Sequence, residues 1–161
     1  MVGIVVVSHS PRLAEAAVAL ALEMVHGERP PIALAAGTED GRIGTDPMRV
    51  SEAIAEVGSP AGVLVFMDLG SAVLSAELAL DLLGDPGFEV RLTSAPFVEG
   101  LLAGIVSAAY GADLDRVHQE AGGALLAKRM HLGEEDTALA PAPSPSTGVG
   151  GAEVVRRPPS A

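Results

Sequence analysis

A histidine and an aspartate stand at the ends of two apolar runs, and they are the residues with which this chain could do chemistry. The first run, Ile4-Val5-Val6-Val7-Ser8, delivers His9; the second, Gly62-Val63-Leu64-Val65-Phe66-Met67, delivers Asp68. An imidazole beside a carboxylate serves base-assisted hydrolysis, metal ligation or phosphoryl relay. Metal ligation has little support. His26, His118 and His131 show no H-x-H or H-E-x-x-H spacing, so no metal site is expected. Hydrolysis would need a nucleophile such as Ser71. Yet Asp68-Leu69-Gly70-Ser71-Ala72 is not a G-x-S-x-G elbow, and Ser71 reads as a helix cap. Phosphoryl relay fits best, because a neutral imidazole is a good nucleophile near neutral pH and leaves well once phosphorylated. Asp68 would then hold one ring nitrogen and steady the cationic ring. Backbone N–H groups around Ser10, Gly70 and Ser71 would hold the phosphate oxygens without a metal. No Walker loop or kinase motif is present, so ATP is not expected to bind this chain.

The elements that must position these groups follow from pattern. Ile4–Val7 is a run of β-branched residues, as in a strand buried on both faces. Ser10-Pro11 then starts a helix, with Leu13, Ala17, Leu20 and Met24 at helical spacing and an end near His26-Gly27. Ile32–Ala35 is a short second strand, and residues 37–44 form a glycine-rich loop. Asp46-Pro47 starts a second helix whose apolar face is Val50, Ile54 and Val57. After the third strand, Gly70-Ser71 opens a third helix with Leu74, Leu78 and Leu82 on one face. Phe88–Leu92 alternates apolar and charged residues, as a sheet edge does. A fourth helix runs from Phe97 to about Tyr110 with Gly111 as its cap. Asp113 caps a fifth that continues past Gly122-Gly123 toward Met130.

Strand and helix thus alternate four times, the pattern of a doubly wound, mostly parallel α/β sheet with helices on both faces. The first and third strands lack polar positions and belong in the middle, giving the order 2-1-3-4 with the switch point between strands 1 and 3. His9 and Asp68 then face one another across the ligand crevice.

The composition agrees. Apolar residues make up 48% and aromatics 2%, so the core must be aliphatic, as under a parallel sheet. There is no cysteine, which excludes disulfides and thiolate chemistry. A formal charge of −11 without a basic cluster argues against nucleic acid and favours a protein partner with a basic patch. No membrane association is expected: the longest charge-free apolar-biased stretch, Gly100–Ala112, is too short to span a bilayer. No Lys or Arg precedes the N-terminal apolar run, so a cytoplasmic chain is expected. One domain over residues 1–132 is followed by a Pro/Ala/Ser/Gly-rich linker or tail over 133–161, expected to be disordered.

Several ordered pieces carry a family resemblance. They are Val5–Ser10, Ile43-Gly44-Thr45-Asp46, Met67–Ala72 with Ser75-Ala76-Glu77, Ala95-Pro96 with Val98-Glu99-Gly100, and Ser107–Asp113. Together they resemble the mannose-type enzyme IIA domains of the phosphotransferase system, in the branch that donates phosphate to dihydroxyacetone kinase. The resemblance implies a homodimer whose His9 is phosphorylated by the carrier protein HPr. The phosphoryl group then passes to ADP, held with magnesium on the DhaL subunit, while DhaK holds dihydroxyacetone. No cofactor is implied on this chain. Gly44 and Thr45 would line the partner face, though a plain helix-start role suits Thr45 equally. The segment Ala152–Pro158 looks like the first strand of an HPr-like domain but lacks its phosphorylation motif. Three other readings stay open: a mannose-type sugar-transport component, a receiver-like module phosphorylated on Asp68, and a non-catalytic binding module.

Overall fold

The computed structural model describes residues 1–134. Four parallel strands, β1 (Gly3–Ser8), β2 (Ile32–Ala36), β3 (Val63–Met67) and β4 (Val90–Leu92), form one sheet in the order β2-β1-β3-β4. Six helices connect and follow them: α1 (Pro11–Leu22), α2 (Pro47–Val57), α3 (Gly70–Leu83), α4 (Phe97–Ala109), α5 (Leu114–Gly122) and α6 (Leu126–Leu132). The chain is an α/β domain of the order the sequence predicts. Register runs Ser8 against Ala36 and Val7 against Met67, so both central strands end at the same edge of the sheet.

The strands are buried on both faces because successive side chains point to opposite sides. Ile4, Val6, Leu64 and Phe66 meet Ala14, Ala17, Ala21, Leu101 and Ile105 on the face covered by α1, α4 and α5. Val5, Val7, Val63 and Val65 meet Val50, Ile54, Ala72, Ala76 and Ala79 on the face covered by α2 and α3. Branched strand residues therefore supply the bulk, and the helices reply with alanines that let their axes lie close to the sheet.

The expected α2 face of Val50, Ile54 and Val57 is buried, but that division of labour overturns the expected faces of α1, apart from Ala17, and of α3. Leu13 and Leu20 on α1 and Met24 just beyond its end are exposed, as are Leu74, Leu78 and Leu82 on α3; the inward faces are the alanines named above. A leucine at those inward positions would push the helix off the β-branched surface. α1 also ends at Leu22, because Met24 and Val25 N–H groups bond three residues back and tighten the last turn, so His26 lies beyond the helix. The expected fifth helix is two. α5 stops at Gly122, and α6 restarts at Leu126 after the Gly122-Gly123 pair, each glycine costing helix stability. β4 is shorter than Phe88–Leu92, since Phe88 packs into the α2/α3 side core rather than pairing. The tail from 135 onward lies outside the described residues.

Candidate functional site

His9 follows directly on β1 and Asp68 on β3, and parallel pairing of the two strands sets them side by side. The Asp68 N–H donates to Val7 O at 3.2 Å, extending the ladder by one bond. The carboxylate then collects four donors. Oδ2 accepts from the Ser8 hydroxyl and the His9 N–H, each at 2.9 Å. Oδ1 lies 2.8 Å from His9 Nδ1 and accepts from the Leu69 N–H at 2.8 Å. A carboxylate has about four acceptor positions, and here each is used. The Asp68 side chain is 6% exposed and that of His9 19%, so the acid is buried and the ring reaches the surface.

Burial pushes the Asp68 carboxyl up. The His9 backbone N–H, the His9 ring, the Ser8 hydroxyl and the charge of the imidazole more than offset it, and the group lies below its ordinary value. At neutral pH it is an anion that only accepts. Nδ1 must therefore carry the ring proton, leaving Nε2 with a bare lone pair. Nε2 lies 2.5 Å from the Ser71 hydroxyl, which donates to it.

The sequence-derived residues converge unequally on this pair. The sequence pattern makes Ser71 a helix cap; in the structure Leu69 is the N-cap of α3, no side chain caps that helix, and Ser71 points at the ring. Gly70 and Ser71 sit in the first turn of α3, where backbone N–H groups have no intrahelical acceptor. This helix end therefore offers free donors and partial positive charge beside Nε2. Ser10 caps α1, its hydroxyl accepting from Leu13 N–H at 3.3 Å. Its own N–H is turned inward to Ser8 Oγ at 3.1 Å, so Ser10 has less to offer an anion than α3 does. Gly44 donates its N–H to the His9 carbonyl at 3.0 Å, tying the loop after β2 to the histidine. Thr45 does not start the helix; Asp46 does, and the Thr45 hydroxyl meets that of Ser75 on α3 at 2.7 Å. Ser8 was missed as a site residue. It is fully buried, and a polar group at the end of an apolar strand must find a partner, which was the available signal. His26, His118 and His131 stand apart from this constellation. Among the described residues no group of three or more His, Cys, Asp or Glu side chains could hold a metal ion, and no helix is long and apolar enough to cross a membrane.

Chemically, the arrangement is a nucleophile with a fixed tautomer. A nitrogen lone pair faces outward at the switch point of an open α/β sheet, next to an uncapped helix N-terminus. That defines the class: an α/β domain whose surface imidazole is oriented by a buried carboxylate. A family model described as the PTS system fructose IIA component matches residues 3–118. The chain is 53% identical over 137 residues to the phosphoryl donor subunit DhaM of the PEP-dependent dihydroxyacetone kinase from Klebsiella michiganensis, a match covering 83% of this chain and 29% of that protein. It is 36% identical over 121 residues to the DhaM subunit of PEP-dependent dihydroxyacetone kinase 2 from Listeria innocua, covering 74% of this chain and 96% of that one. A solved crystal structure of a protein of unknown function, EF1359, superposes with a TM-score of 0.67 at 38% identity, over 77% of this chain and 96% of that chain. The chain belongs to the IIA-component family and, within it, to the DhaM phosphoryl donor subunits. It spans less than a third of the length of the Klebsiella relative and nearly all of the Listeria one.

Proposed function

We propose that this chain is a phosphoryl carrier that takes phosphate from phospho-HPr onto His9 Nε2 and passes it to ADP on a DhaL subunit, for phosphorylation of dihydroxyacetone bound to DhaK. The observation that carries this reading is the His9–Asp68 pair, with Nδ1 fixed on a saturated carboxylate and Nε2 facing out beside the start of α3. In the uptake step Nε2 attacks phosphorus, the bond from phosphorus to the carrier's nitrogen breaks, and the carrier nitrogen keeps the electron pair. The product ring is cationic, and Asp68 is its counter-ion. The N–H groups of Gly70 and Ser71, with the Ser71 hydroxyl displaced from Nε2, are the donors proposed for the phosphoryl oxygens. Transfer onward reverses the sequence: the N–P bond breaks, the pair returns to Nε2, and a nucleotide oxygen takes the phosphoryl group. The nucleotide and its magnesium belong to the partner subunit. A homodimer in the cytoplasm completes the proposal. The family and the names of the relatives support it. A phosphoaspartate on Asp68 fits poorly, since both carboxylate oxygens are already bonded twice.

Incubation with phosphoenolpyruvate, enzyme I and HPr is expected to give one acid-labile phosphoryl adduct, absent in His9→Ala. An adduct that survives acid, or that persists in His9→Ala, overturns the reading. Transfer from the loaded protein to ADP with DhaL, and none to a sugar-permease component, separates the kinase role from sugar transport.

A further inference from the structure

Ser8 is the residue that the mechanism above does not use, and its surroundings are specific. It is the last residue of β1, wholly buried, in a core that is otherwise almost entirely aliphatic. Its oxygen accepts the Ser10 N–H at 3.1 Å and lies 3.1 Å from the Ser10 carbonyl and 2.9 Å from Asp68 Oδ2. A hydroxyl has one proton. The shorter contact, to an anion, is the stronger acceptor for it. One small side chain thus joins the carboxylate of β3 to the N-cap of α1, on either side of the histidine.

We propose that Ser8 is a positioning residue for phosphoryl release: its hydroxyl fixes the carboxylate plane of Asp68 and keeps the ring proton on His9 Nδ1 while Nε2 carries phosphate. This rests on the phosphohistidine reading. The reason lies in the leaving group. With the proton on Nδ1, cleavage of the N–P bond returns the electron pair to Nε2 and releases a neutral imidazole. If that proton moved to Asp68, the same cleavage would have to release an imidazolate, a far poorer leaving group. A donor on Oδ2 withdraws charge from the carboxylate and makes it a weaker base toward Nδ1–H. The effect is local, because the groups that contact the carboxylate are the Ser8 hydroxyl, the His9 ring and the N–H groups of His9 and Leu69, so the imidazole is the other ionisable side chain in direct contact with it.

The test compares the full chain with Ser8→Ala and Ser8→Thr, each loaded with phosphate through HPr and then mixed with DhaL and ADP over a range of pH. Ser8→Ala is expected to slow release on the order of tenfold and to move the acid limb of the rate profile up by about one pH unit, as loss of one donor to a carboxylate does. Ser8→Thr, which restores the hydroxyl, is expected to recover both. Nitrogen NMR of the loaded His9 ring should show weakened Nδ1–H character in Ser8→Ala alone. An unchanged profile in Ser8→Ala overturns the proposal. So does a slower rate with an unmoved pH profile that Thr fails to restore, since that is the mark of lost packing. Failure of the wild-type chain to load at all would instead overturn the phosphohistidine reading itself.

Discussion

Four donors converge on the two oxygens of Asp68, and replacing one oxygen by an amide nitrogen sets a donor against a donor. In Asp68→Asn the ring escapes that clash by taking the other tautomer, with its proton on Nε2 and its lone pair turned inward. The nucleophile is then blocked without any loss of volume. Phosphoryl uptake is expected to slow by about 10²–10⁴, the range typical of a positioned acid–base partner. Stopped-flow or quench measurements of adduct formation check this, and an unchanged rate would reduce Asp68 to a strand-end anchor. The same carboxylate sets an acid response. Its value in the folded protein lies below the ordinary one. Its contribution to stability is therefore complete above the unfolded value of about 3.9 and is lost as pH falls through the folded value. As pH falls below about 3.9 the wild-type chain should lose more stability than Asp68→Asn, with the difference between them constant at higher pH, measured by denaturant midpoints at each pH. Equal losses would mean that the carboxylate is not held as an anion.

At the scale of elements, the site depends on β1 lying where it does, and Gly3 at its start decides that. A Cβ at Gly3 would sit 2.5 Å from the carbonyl oxygen of Val57, the last residue of α2. A backbone carbonyl at a helix end has little room to move, so Gly3→Ala must displace β1 or α2. A loss of about 1–3 kcal/mol is expected from thermal or denaturant unfolding; an unperturbed midpoint would mean that this helix end yields freely. Strand positions of this kind were legible in the sequence. Ile4–Val7 and Gly62–Met67 are short, β-branched-rich and apolar without alternation, as central parallel strands are, and the order 2-1-3-4 with His9 beside Asp68 follows from it. The inward face of α2 was legible too, but those of α1 and α3 were not. α1 and α3 are apolar on more than one side, and size decides which side turns in: a surface of Val, Ile and Phe leaves room for Ala14, Ala17 and Ala21, and for Ala72, Ala76 and Ala79. Leucine spacing alone therefore pointed outward. Nor was the aim of Ser71 legible, because a serine near a helix start caps it far more often than it turns to a neighbouring strand.

At the scale of the molecule, charge and apolar surface make opposite predictions about how the proposed phosphoryl donor would dock. The chain carries a formal charge of −11. Glu39, Asp40 and Asp46 stand in the segment between β2 and α2, whose Gly44 N–H holds the His9 carbonyl; Asp40 is paired there with Arg42, so the segment next to the histidine keeps a net negative charge. Leu69, Leu74 and Leu78 on and before α3 are exposed on the Ser71 side. If acidic groups steer a basic donor, uptake at low donor concentration is association-limited and screened by salt, whose Debye length is about 10 Å at 0.1 M. Raising ionic strength from about 0.02 to 0.3 M should then slow uptake on the order of 3- to 10-fold, while the rate at saturating donor stays constant. Glu39→Lys should reproduce part of that loss at low salt and none at high salt, because it removes attraction and leaves the imidazole untouched. A salt-independent rate would assign docking to the leucine face of α3, where Leu78→Glu, two turns from the reacting nitrogen, would slow uptake at every ionic strength.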